Sequence, residues 1–184
     1  MSLRRISWLV ACLVIPIAVG CGQESEVVKE EEPVSVTPGD VPDPRPLMGE
    51  LVIDDIGMAL DHWGGDVYEL HTVGEGAPVV EDDALTLTLS YGGGCARHDF
   101  TLVADGEFRE SNPVQLDVFL AHDANDDRCQ AYPTEAYEFD LTPIQVLYRE
   151  TYGTDAGAVL LHFYGQDIPH DDPVLFYSLI YTFE

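Results

Sequence analysis

Ala84-Leu85-Thr86-Leu87-Thr88-Leu89-Ser90-Tyr91 is the stretch that decides the fold class of this chain. Apolar side chains occupy every second position and hydroxyl residues lie between them. That period of two fits a strand with one face in a core; on a helix the same leucines would scatter around the circumference. Outward from it the pattern recurs. Val114, Leu116, Val118 and Leu120 line one face of a segment that follows the Asn112-Pro113 break. Asp105-Gly106, between Phe100–Ala104 and Glu107–Glu110, is a two-residue hairpin signal. Further strands are predicted at Val67–Val73, Ala136–Leu141, Ala158–Tyr164 and Val174–Phe183. Leu51–Leu60 is ambiguous, and its β-branched start favours a first strand.

One segment departs from this period. Thr142-Pro143 places a capping hydroxyl before a proline at the first helical position, and Ile144, Leu147, Tyr148 and Thr151 follow at helical spacing up to Gly153. The expected fold is all-β, or mainly β with one short helix: an antiparallel β-sandwich or barrel of about seven or eight strands.

The start of the chain has a different character. Arg4 and Arg5 precede an apolar run from Ile6 to Val19, which closes in Ala18-Val19-Gly20-Cys21. A basic zone, a short apolar zone and small residues describe a secretory signal. The string resembles the lipobox of bacterial lipoproteins. A cut before Cys12, after Leu9-Val10-Ala11, would leave an apolar zone of only about five residues, below the usual length. The resemblance implies that residues 1–20 are a signal peptide and that Cys21 is the acylated N-terminus, anchored in a membrane by palmitate-type chains. Gly22, where an Asp would favour retention in the inner membrane, implies the outer membrane of a bacterial cell envelope, with the domain facing the periplasm or the cell surface.

Residues 22–46 hold seven acids and five prolines and no aromatic residue. Such a segment buries too little apolar surface to offset its ordering entropy, so 21–46 is read as an extended, disordered tether. Residues 47–184 form a single β-rich globular domain on this reading.

Charge narrows the partners. The chain has a formal net charge of −26, and residues 47–184 contain 27 acids, four arginines and no lysine. Phosphate backbones need Lys or Arg to release their counterions, so nucleic-acid binding is excluded as a function class. Without lysine the domain has no Walker A loop: Gly92-Gly93-Gly94 runs into Cys95. Schiff-base catalysis is closed to it as well. Attachment to a membrane has to come from the lipid, and the fitting partner is an envelope or extracellular protein.

Chemistry concentrates in two segments, Gly92–Phe100 and His122–Cys129. Each contains one Cys, one His followed directly by Asp, and one Arg, at the end of a predicted strand. Cys95 and Cys129 are the only cysteines of the exported domain, and an even pair in an oxidising compartment reads as a disulfide. The alternative keeps both thiols free and gathers Cys95, His98, His122 and Cys129 around zinc or copper, with Asp99 or Asp123 orienting an imidazole. Asp123, Asn125 and Asp127 also match the first three oxygens of an EF-hand calcium loop, but Arg128 stands where the loop needs glycine. No cofactor is required by any motif. A Gly-x-Ser-x-Gly elbow and a His-Glu-x-x-His helix are both missing from the sequence. The leading functional reading is a non-catalytic binding or structural module of a lipoprotein. A metal-binding lipoprotein is the alternative.

Overall fold

The structure is a computed structural model that describes residues 45–166 and 173–184. The expected signal peptide, Cys21 and nearly all of the expected tether lie outside the described residues. Ten strands form two five-stranded sheets, with the helices α1 (Ala59–Trp63) and α2 (Thr142–Tyr152). In the first sheet β1 (Leu47–Met48) pairs with β8 (Thr134–Asp140), β8 with β5 (Ala84–Tyr91), and β5 with both β3 (Tyr68–Leu70) and β4 (Val79–Glu81). The second runs β10 (Pro173–Phe183), β9 (Gly157–Gln166), β7 (Val114–Asp123), β6 (Asp99–Ala104), β2 (Glu50–Ile53).

The expected alternation builds the core. Leu85, Leu87 and Leu89 are fully buried, and they meet Leu102, Leu116, Val118, Leu120, Val159, Leu161 and Phe163 of the other sheet in one cluster. Each such side chain contributes about 1.5 to 3 kcal/mol relative to exposure. The sheets do not close on each other, so the fold is a mainly β sandwich rather than a barrel. A second, smaller cluster lies on the outer face of the β10–β2 sheet. There Val103, Phe119 and Ala121 pack under Ala59, Leu60 and Trp63, which is why β6 and β7 carry apolar residues at both parities.

The pairing is mixed. β5–β8, β6–β7 and β9–β10 are antiparallel, whereas β1–β8, β2–β6 and β7–β9 are parallel. Parallel neighbours need a crossover, and here the other sheet supplies it: after β7 the chain runs through β8 and α2 before returning as β9. β1 and β2 are one extended run that changes sheets at Gly49. A Cβ at Gly49 would stand 2.3 Å from the Phe139 ring, so only glycine lets the backbone pass.

Three local expectations are corrected. Asp105-Gly106 does not make a two-residue hairpin. β6 pairs instead with β7 across a longer connection, closed by Asp105 N–H to Asp117 O and by mutual bonds between Arg109 and Gln115. Leu51–Leu60 is strand only as far as Ile53. A 3-10 turn at Ile56–Met58, capped by the Asp55 carboxylate, then leads into α1. The cap of α2 is not the Thr142 hydroxyl. The Asp140 carboxylate accepts the Thr142 N–H at 2.9 Å, and Gly153 ends the helix in the left-handed conformation at φ 69°.

A buried histidine pair and its disulfide

Topology brings the two chemistry-bearing segments together. β5 pairs with β8 and β6 with β7, so the β5-to-β6 and β7-to-β8 connections cross between the sheets at the same end of the sandwich. Gly93 N–H donates to Ala131 O at 3.1 Å and joins them. Cys95 and Cys129 are bonded as a disulfide, with Cα atoms 5.9 Å apart. Both sulfurs of the expected metal set are therefore held in that bond.

Asp127 anchors both half-cystines. Its Oδ2 accepts the backbone N–H of Cys95 at 2.7 Å and of Ala96 at 2.9 Å, and its Oδ1 accepts the Cys129 N–H at 2.9 Å. These three donors hold its carboxyl well below the usual carboxylate range. The same Oδ2 lies 3.3 Å from His98 Nε2, and His98 Nδ1 lies 2.8 Å from His122 Nε2. A carboxylate only accepts, so His98 Nε2–H points at Asp127. With both rings neutral, His98 Nδ1 then accepts from His122 Nε2–H. His122 Nδ1 is left as a buried lone pair without a hydrogen-bond partner. Burial lowers the pKa of His122 and the neighbouring His98 adds to this, while the nearby backbone of Asp66 and Val67 pulls the other way.

The rings around the pair are aromatic. Phe100 stacks on His122 at 4.2 Å with the planes parallel, Tyr91 lies 4.5 Å from His98, and Tyr68 meets His122 edge-on at 6.0 Å. His98 and His122 are 2% and 1% exposed. Gly93, at φ 135°, makes room for them: a Cβ there would lie 2.5 Å from His98 Nε2. The polar rim of the cluster is satisfied internally, with Tyr68 OH donating to Leu120 O at 2.8 Å and Tyr91 OH to Glu135.

The other oxygens expected of a calcium loop face turns of the chain. Asp123 Oδ1 accepts the Asn125 N–H at 2.8 Å. The Asn125 amide donates to Arg97 O at 3.0 Å and to Asp99 Oδ2 at 2.8 Å. Asn125 and Asp126 carry positive φ, at 51° and 59°. The carboxylate that orients a histidine is Asp127, in place of Asp99 or Asp123. Among the described residues one group of potential metal donors converges, Cys95, Asp127 and Cys129, and its two sulfurs are bonded to each other.

Sequence spacing gave no sign of two further histidine contacts. His71 Nε2 lies 2.8 Å from Ser90 Oγ, which lies 2.6 Å from Thr134 Oγ1. Ser90 is 3% exposed, so this is a tie between β5, β8 and the loop after β3 rather than an accessible nucleophile. His162 bridges Ser178 and Gln115 at 2.8 and 3.0 Å on the outer face of the second sheet.

No family model matches the chain, and no curated protein matches it. Solved structures do. A NigD-like immunity protein from Bacteroides caccae superposes with a TM-score of 0.53 at 17% identity, over 75% of this chain and 65% of that one. A chain from Bacteroides fragilis assigned as a lipoprotein gives 0.52 at 12% identity, over 77% and 72%. A toxin-related protein from Parabacteroides distasonis gives 0.47 at 16% identity, over 74% and 61%. The chain thus spans less than two thirds of the immunity and toxin-related proteins. At these identities the likeness to the first two is one of fold: a mainly β sandwich is shared, and nothing of their chemistry is carried by it.

Proposed function

We propose that this chain is a non-catalytic binding module of the bacterial envelope, anchored through lipid at Cys21 and carried clear of the membrane on residues 22–46. The observation that carries the reading is the use made of its most reactive residues. Cys95, Cys129, Asp127, His98 and His122 are bonded to one another in a network that pins two crossover loops, its histidines buried and its disulfide at the surface. A scaffold held in this way keeps a surface in a fixed shape, which suits recognition of a protein partner. The lipoprotein and the immunity protein that share this fold agree with an envelope setting and a binding role.

The test is acylation. Cells grown with an alkynyl palmitate should label the wild-type protein, and Cys21→Ala should lose the label and leave the membrane fraction. A Cys21→Ala protein that fractionates with membranes as the wild type does would remove the anchor, and the envelope reading with it.

A further inference from the structure

Among the described residues, four of the five edge strands of the sandwich are protected against pairing with another chain. β1 has two residues; β2, β3 and β4 have four, three and three, and contain Glu50, Glu69 and Glu81. Short strands and charges are the ordinary devices that keep a sheet edge from templating a further strand.

β10 is neither short nor charged, and its proline and its register shift both lie before Tyr177, which leaves 177–183 as a regular strand. It is an 11-residue edge strand, Pro-Val-Leu-Phe-Tyr-Ser-Leu-Ile-Tyr-Thr-Phe, with no charged side chain. Its length and composition match two of the five strands that have a neighbour on both sides: β5 and β9, with eight and ten residues, are also uncharged apart from His162, whereas β6, β7 and β8 carry acids. Leu175 and Ile180 are 47% and 57% exposed beside its free edge. Phe176 falls at the irregularity between Leu175 and Tyr177, where the pairing with β9 shifts register.

We infer that β10 is the pairing edge for a second copy of this chain, two β10 strands joining antiparallel about a two-fold axis to make one continuous sheet, five strands from each copy. Charge selects this occupant. A molecule of net charge −26 opposes its own association almost everywhere. A two-fold seam at β10 sets the uncharged residues 173–183 of the two copies against each other, and acids flank it at both ends, Asp171 and Asp172 before the strand and Glu184 after it. Pairing through β2, β3 or β4 would bring glutamates into the seam and join at most four residues. Residues 22–46, with seven acids and five prolines that lack an N–H, make a poor ladder partner. The remaining repulsion, between the acids at the ends of the seam and between the two molecules as a whole, is screened by salt, so the pair should tighten as ionic strength rises.

Sedimentation equilibrium on the mature chain with Cys21→Ser, exported so that its disulfide forms, tests the assignment. A monomer–dimer equilibrium at micromolar concentration, stronger in high than in low salt, is expected. Ser178→Glu and Ile180→Glu each set like charges across the seam and should weaken dimerisation at least about tenfold. Ile53→Glu on the opposite edge should leave it unchanged. Should the β10 variants fold poorly, hydrogen exchange on the parent protein decides: β10 amides should slow as concentration rises. A monomer in both salts, a dimer indifferent to both β10 variants, or concentration-independent β10 exchange overturns the proposal.

Discussion

The carboxylate of Asp127 accepts the backbone N–H of Cys95 at 2.7 Å across 32 positions of sequence. With the Ala96 and Cys129 N–H groups on the same carboxylate, one acidic side chain fixes the geometry of both half-cystines. Asp127→Asn should therefore lower the melting temperature by several degrees, because an amide offers one acceptor oxygen and turns its NH2 towards donors. Asp126→Asn, one residue away and exposed, is the control and should melt as the parent does. An unchanged melting temperature in Asp127→Asn would remove the anchor from the account.

The disulfide closes a sequence separation of 34 residues. The chain-entropy model assigns such a closure about 3 to 4 kcal/mol, acting on the unfolded state. Cys95→Ala/Cys129→Ala should lose stability of that order in urea melts and show no response to reductant, whereas the parent should fall to the same midpoint on reduction. A parent protein whose midpoint ignores reductant would contradict the bond or its role.

The two sheets were legible from the period of two because Leu85, Leu87 and Leu89 face a single core, and burial of one face is what imposes that period. The parallel pairings were hidden. Nothing in β7 or β9 shows which strand each will neighbour; that follows from the crossover through β8 and α2. The Cys–Cys pair was readable from parity and compartment. The part of Asp127 was not: the Asp-x-Asn-x-Asp pattern of 123–127 is equally a set of cation oxygens and a set of turn acceptors, and the choice depends on which N–H groups the other loop brings. The aromatic shell of Tyr68, Tyr91 and Phe100 around the histidines comes from three separate strands, so no local spacing announces it.

Gly49 permits β1 to leave the first sheet and β2 to enter the second, and a Cβ there meets the buried Phe139 ring at 2.3 Å. Gly49→Ala should cost about 1 to 3 kcal/mol, the range for overpacking a filled core. Gly92→Ala, where an added Cβ meets nothing within 4 Å, should cost well under half as much. Equal urea midpoints for the two variants would show that the crossing at Gly49 tolerates a side chain.

Acid should weaken the fold through His122. Its pKa is lowered in the folded state, chiefly by burial, so between the folded and unfolded values the unfolded chain binds more protons. Stability then rises with pH; it is fully present above the ordinary histidine range and is lost as pH falls through about 6.5 and below. Asp127 acts in a lower window. Its carboxyl is held below the usual range, so its contribution is present above the ordinary Asp value and disappears as pH falls beneath about 4. The other carboxylates complicate a raw curve, since protonating them relieves the repulsion of a chain with 34 acids. The informative quantity is the difference between the parent and His122→Gln, whose side-chain amide can still donate to His98 Nδ1. Urea midpoints measured from pH 8 to pH 5 should fall more steeply for the parent than for His122→Gln, and the two curves should run parallel above pH 7. Curves parallel over the whole interval would show that burial does not lower the His122 pKa and would overturn the prediction.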